Sequence, residues 1–193
     1  MRWQDNDSDD VLIIAAEKGS ESAAAQLYAR YADKVYRIAY RITLDENLAK
    51  DCAQETWIKA FAKIHRYRLG SSFPAWLAAI AVHSAIDLLR QCRKRRSVEC
   101  ENGEEEYGQP VEPAARLRLE ECEIHAAVDL ALEQLPANQR AAFVMRHYEE
   151  LPLKTIAETL GCLEGTVKTH IHRAVKAVRS VLRKKLDGRM EKP

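Results

Sequence analysis

The chain has 193 residues, 47% of them hydrophobic, and its 30 Lys and Arg against 29 Asp and Glu leave a net charge of +1. That length allows one domain or two small ones. The near-neutral sum excludes a uniformly basic chain but not a local basic surface, because acids gather at Asp5, Asp7, Asp9 and Asp10 and from Glu101 to Glu106.

Seven Gly, six Pro and few alternating β-branched runs predict an all-α protein. The acidic start MRWQDNDSDD and the lack of a run of 18 apolar residues predict a cytoplasmic protein without signal peptide or membrane span. Cys52, Cys92, Cys100, Cys122 and Cys162 are odd in number and lack CxxC spacing, which argues against a disulfide framework or structural zinc. Cys122 and His125 have ligand-like spacing but no second pair, so neither metal nor cofactor is expected.

Four helices are predicted in a first domain, 9–97. The first runs from about Asp9 to Lys18 and stops at Gly19. The second has Ser20 as N-cap and Ala23 to Ile42 as its body, the third runs from about Asp45 to Tyr67, and the fourth from about Ser72 to Arg95. On the third, Ala53, Trp57, Ala60, Phe61 and Ile64 form the expected core stripe, while Leu48, Asp51, Glu55 and Ile58, with Gln54 beside them, occupy the other side. Acids ringed by apolar side chains suit a protein interface. A solvated face with Glu55 paired to Lys59 is the competing reading.

On the fourth helix Phe73, Trp76, Leu77, Ile80 and Leu88 look like core, and His83, Asp87 and Arg90 share another strip. Five cations, Arg90, Arg93, Lys94, Arg95 and Arg96, crowd its end, more than the helix dipole requires. Aromatic rings beside cations suit single-stranded DNA. Against this, Trp76 fits the core and His83 with Asp87 can form a simple i,i+4 pair.

From 98 to 113 the composition turns to Glu, Gly and Pro with no apolar period, which predicts a flexible acidic linker. Helix is predicted to resume near Ala114 and continue to about Leu186, giving a second domain, 114–187, and a frayed tail DGRMEKP. The stretch from Leu151 to Val178 has the residue pattern of a helix-turn-helix. Ile156 and Leu160 give an apolar edge, Ala157 permits close crossing, and Gly161 supplies a left-handed turn. A second helix starts near Leu163 or Glu164, with Val167, Ile171, Ala174, Val175, Val178, Val181 and Leu182 on its core side. From Glu164 to Leu186 one acid faces seven Lys or Arg. Entry into a major groove by the N-terminal part makes Lys168, Thr169, His172 and Arg173 candidate base readers, and leaves Lys176, Arg179, Arg183, Lys184 and Lys185 for phosphates. An ordinary surface helix with a solvated basic face is the competing reading.

The segments DCAQETWIKAFAKIHRY from Asp51 and SSFPAWLAAIAVHSAIDLLRQCRKRR from Ser71 resemble region 2 of the extracytoplasmic-function (ECF) sigma factors of bacterial RNA polymerase. LPANQRAAFVMRHYEELPLKTIAETLGCLEGTVKTHIHRAVKAV, from Leu135, resembles their region 4. The resemblance implies a non-enzymatic promoter-specificity subunit of two small helical domains. It implies that Leu48, Asp51, Gln54, Glu55 and Ile58 dock on the β′ clamp helices of core polymerase, with the β flap as a further contact. It places Phe73, His83, Asp87, Arg90, Arg93 and Lys94 at the melted minus-ten element, and Lys168, Thr169, His172, Arg173, Lys176 and Arg179 at the minus-thirty-five duplex. Control by an anti-sigma factor, often membrane-anchored, and a stress or envelope stimulus are further implications. The chain departs from the family pattern at Pro74, Ala75, Val82 and His83, so the family's minus-ten preference is not carried over. Two other classes compete: a regulator whose N-terminal helices dimerise or sense a ligand, and an enzyme or redox sensor using Cys and His. The Asp51 to Glu55 face discriminates, because a regulator has no use for it.

Overall fold

The computed structural model describes residues 8–99 and 127–190, and among these every regular element is helical. In the first domain α1 spans Asp9–Glu17, α2 Glu21–Thr43, α3 Glu46–Ala62 and α4 Phe73–Glu99. Each boundary has a local cause. Gly19, at φ +88°, ends the α1 turn, and the Ser20 hydroxyl accepts from the Ala23 N–H at 3.3 Å to cap α2. Asp45 caps α3 by accepting from the Leu48 N–H at 2.8 Å. The third helix stops at Ala62, short of the expected Tyr67, and the chain tightens into a 3-10 turn, Ile64–Arg66.

The core stripe of α3 lies further round than its apolar pattern suggests. Ala49, Cys52, Thr56, Trp57 and Ala60 are buried, whereas Ala53 and Phe61 are only half-buried. Thr56 is tolerated inside because its hydroxyl donates to the Cys52 carbonyl at 2.7 Å. Along α4, Phe73, Leu77, Ala78, Ala81, Val82 and Ala85 are buried, and the small residues let α2 and α3 pack closely. By length and composition Phe73–Arg95 could cross a membrane, but its apolar side is the centre of this helical core.

Among its described residues the second domain has α5 over 127–133, α6 Ala137–His147, α7 Leu153–Leu160 and α8 Glu164–Met190. Pro136 and Pro152 stand immediately before α6 and α7, and Gly161, at φ +62°, closes α7. The tail expected to fray from Asp187 continues α8 as far as Met190. Helix α4 likewise runs two residues into the expected linker. The rest of that linker, the segment expected to resume helix at Ala114, and Cys100, Cys122 and His125 lie outside the described residues.

The two domains meet. One apolar core runs through α1 to α4 and continues into Ala141, Val144 and Met145 of α6 and Ile156 of α7, while a smaller one joins α5, α6 and α8. Helix α6 is therefore packed from both directions. Its Arg140, 8% exposed, donates from Nη1 to the Ile42 carbonyl at the end of α2 at 2.6 Å and from Nη2 to the Leu135 carbonyl at 3.1 Å. Burial pushes the guanidinium down to about 10, which leaves it charged at neutral pH. Beside it Lys34 pairs with Glu149 at 2.8 Å, and the Arg41 guanidinium lies 3.8 Å from the centre of the Tyr148 ring.

Candidate nucleic-acid interface

The turn and its two helices have the geometry expected of a groove reader. Ile156 and Ala157 of α7 are buried, and the Cys162 N–H donates back to the Ala157 carbonyl at 3.0 Å as Gly161 turns the chain. On α8, Val167, Ala174 and Val178 are buried and Ile171, Val175, Val181 and Leu182 half-buried. The other side carries Lys168, Thr169, His172, Arg173, Lys176 and Arg179, all exposed. The apolar period thus turns a continuous cationic strip outward. Thr169 has its hydroxyl engaged by the Gly165 carbonyl at 3.0 Å, which fixes its side chain against its own helix.

Two histidines of this domain are held toward the neutral form. Burial lowers the pKa of His147 and then Arg146 lowers it further; burial and then Arg173 do the same at His170. Because the folded values lie below the ordinary 6.5 of the unfolded chain, the unfolded state takes up more protons as pH falls through that value, and folding stability falls with it. Urea unfolding at pH 7.5 and 5.5 is expected to show this loss, with a smaller loss in a His147→Gln, His170→Gln variant. An equal loss in both proteins would assign the effect to carboxylates.

The α4 surface divides the residues expected at a melted strand. Phe73 is 2% exposed, edge-on to Tyr31 and Tyr67, so its ring is a core residue and cannot meet a base without rearrangement. Val82 is fully buried as well, which explains an apolar residue there by packing. His83 is exposed, but its Nδ1 lies 2.8 Å from the Ala79 carbonyl, and Asp87 pairs with Arg90 at 3.1 Å, so the expected His83 to Asp87 pair does not form. Arg90, Arg93 and Lys94 are exposed and Asp87 half-exposed. Trp76 is half-buried against Tyr67 and Phe73.

The loop before α4 is pre-shaped. Tyr67 donates its hydroxyl to the Ser71 carbonyl, and Gly70, at φ +80°, donates its N–H to the Asp10 carboxylate at 3.1 Å. Arg68 and Leu69 stand exposed at its tip. Asp10, which in the sequence registered only as charge, thus fastens this loop to α1; nothing in the local pattern marks a partner 60 residues away.

On α3, Asp51, Gln54 and Ile58 are exposed, Ile58 to 70%, while Leu48 and Glu55 are half-buried. Glu55 does pair with Lys59, at 2.8 Å, and Lys59 also donates to the Ser84 hydroxyl of α4 at 3.1 Å. The pair joins two helices as well as solvating a face. Beneath it burial, outweighing the Thr56 hydrogen bond, pushes the Cys52 thiol up to about 12, which leaves it unreactive. No His, Cys, Asp and Glu cluster among the described residues has the form of a metal site.

A helix-turn-helix with a cationic outer strip, joined to a second helical domain that displays an exposed acidic and apolar face, has the form of a DNA-binding protein. Sequence comparison makes this specific. Residues 27–96 match the sigma-70 region 2 family and residues 125–178 match sigma-70 region 4. The chain is 31% identical over 177 residues, 89% of its length, to the ECF RNA polymerase sigma factor SigW of Bacillus subtilis, and that match covers 95% of SigW. It therefore belongs to the ECF sigma factors and serves RNA polymerase in transcription initiation. Among solved structures it resembles RpoE of Bartonella quintana in complex with the anti-sigma factor NepR, at a TM-score of 0.64 and 26% identity over 82% of this chain and 96% of that one. The fold also matches CnrH in complex with the cytosolic domain of CnrY, at a TM-score of 0.62 and 23% identity over 92% and 99% of the two chains.

Proposed function

We propose that this sigma factor grips a promoter at two points, with α8 in the duplex of the minus-thirty-five element and the α4 surface with its preceding loop on the melted minus-ten strand. The observation that carries the reading is the separation of surfaces: a cationic strip on α8 in one domain, and an exposed Asp51, Gln54 and Ile58 face on α3 in the other. A regulator needs the first surface only. Lys168, Thr169, His172 and Arg173 approach base edges, while Lys176 and Arg179 neutralise phosphates. At the melted strand Arg90, Arg93 and Lys94 follow the backbone, and His83 and Asp87 border it. The α3 face, with Leu48 and Glu55 at its margin, takes the β′ clamp helices, and the second domain takes the β flap.

The protein acts in the cytoplasm, without enzymatic chemistry of its own, and an anti-sigma factor restrains it. The complex of its relative RpoE with NepR supports that restraint. A membrane anchor on the anti-sigma factor and an envelope or stress stimulus follow the family resemblance.

Reconstitution tests the reading: the purified chain added to core RNA polymerase is expected to give promoter-dependent transcripts and to co-elute with the enzyme. Absence of co-elution would overturn it. On the duplex, Arg173→Ala is expected to change base preference at one position, at a cost of about 1–3 kcal/mol, whereas Arg179→Ala lowers affinity for all sequences and reduces the salt slope by about one. Equal, sequence-independent losses in both variants would remove the base-reading role.

A further inference from the structure

We propose that Leu163 reads DNA directly, its side chain meeting the 5-methyl group of a thymine in the duplex that α8 enters. The inference rests on the assignment of α8 to the major groove and adds a contact outside the helix's cationic strip. Leu163 is 80% exposed, more than any other large apolar side chain among the described residues. Continued helical period would turn it to the side of Val167 and into the core. It escapes because it lies one step beyond the helix: its carbonyl accepts from the N–H groups of Thr166 at 2.9 Å and Val167 at 3.1 Å, the position of a helix cap.

Both facts are costly for a leucine. A cap position favours Ser, Thr, Asp or Asn, whose side chains satisfy a free N–H of the first turn, and Leu supplies none. An uncovered isobutyl group gains nothing from water. What meets it is indicated by its surroundings. A recognition helix goes into the groove N-terminal end first, so this residue arrives with Lys168 and Thr169, both exposed. The exposed Glu164 next to it repels phosphate, which directs the pair toward base edges and away from the backbone. Of the groups a base presents in the major groove, the thymine methyl is the apolar one.

The test uses the full chain reconstituted with core RNA polymerase. A duplex is first selected from a randomised minus-thirty-five pool, and each of its thymines is then replaced by deoxyuridine, which lacks the methyl group and keeps the hydrogen-bonding edge. One replacement is expected to weaken wild-type binding about fourfold, the loss for one methyl group taken out of a contact. Leu163→Ser is expected to bind the thymine and deoxyuridine duplexes equally, with the wild-type salt slope and an undiminished Tm, since serine caps the helix. Insensitivity of the wild type to every replacement, or sensitivity that persists in Leu163→Ser, overturns the proposal. Loss of polymerase co-elution in Leu163→Ser with thymine discrimination intact would overturn it in favour of a protein contact. If the wild-type holoenzyme selects no minus-thirty-five sequence at all, the assignment of α8 fails first, and this contact with it.

Discussion

Asp51→Ala combined with Ile58→Glu is expected to abolish co-elution with core RNA polymerase while leaving the fold intact. Ile58 is the large apolar residue of the α3 face, and Asp51 is exposed one helical face with it. An apolar anchor at the centre of an interface carries about 2 kcal/mol or more, so the isoleucine change alone should raise the dissociation constant about 30-fold or more. Glutamate there also brings charge into a contact that excludes water. Neither side chain contributes to the core, and exposed substitutions shift stability by about 0.5 kcal/mol or less. Titration of labelled chain with core enzyme measures the loss, and thermal unfolding checks the fold. Wild-type affinity in the double variant would move the docking surface elsewhere. Glu55→Ala is a poorer probe, because removing it also frees Lys59, which bridges to Ser84.

The contrast between Ile58 and Glu55 shows how far the chain can be read without coordinates. Periodicity correctly separated the inner and outer sides of α8, because Val167, Ala174 and Val178 repeat at helical spacing along one side of the helix, whichever of the two cores each one enters. The cap at Ser20, the start of α3 near Asp45 and the turn at Gly161 were legible for the same reason: they are chemistry within a few residues. On α3 and α4 the pattern blurred. Those helices pack on more than one side, so a single stripe does not exist, and Phe73 could be placed both in the core and at the DNA. Contacts between distant segments left no periodic trace. Asp10 at Gly70 is one, and Arg140 is another, although a guanidinium set among Ala141, Ala142, Val144 and Met145 was a signal in itself. A charge in an apolar helical run needs either an exit to solvent or buried acceptors.

Arg140→Met is expected to lower stability by about 2–4 kcal/mol, because it removes charge-assisted hydrogen bonds to buried carbonyls. The acceptors do not all belong to one domain. Ile42 lies in the last turn of α2 in the first domain, and Leu135 lies in the turn before α6 in the second, so one guanidinium closes both the α5 to α6 turn and the junction. Methionine fills much of the volume and supplies no donor, which leaves the Ile42 and Leu135 carbonyls without this partner. Lysine should not rescue, because a single ammonium lacks the planar fork that reaches two carbonyls in different directions. At about 2–4 °C per kcal/mol for a chain of this size, Tm should fall by roughly 5–15 °C. The exposed Arg90→Met, which loses only its pair with Asp87, should leave Tm nearly unchanged. Lys34→Met separates the two jobs of Arg140, since its pair with Glu149 crosses the junction without entering the α5 to α6 turn. If the junction is what Arg140 holds, Lys34→Met and Arg140→Met should each increase the radius of gyration in small-angle scattering, and their stability losses should be less than additive. Additive losses with an unchanged radius would assign Arg140 to the turn alone, and a junction that persists without both residues would rest on the apolar contact of Val144 and Met145.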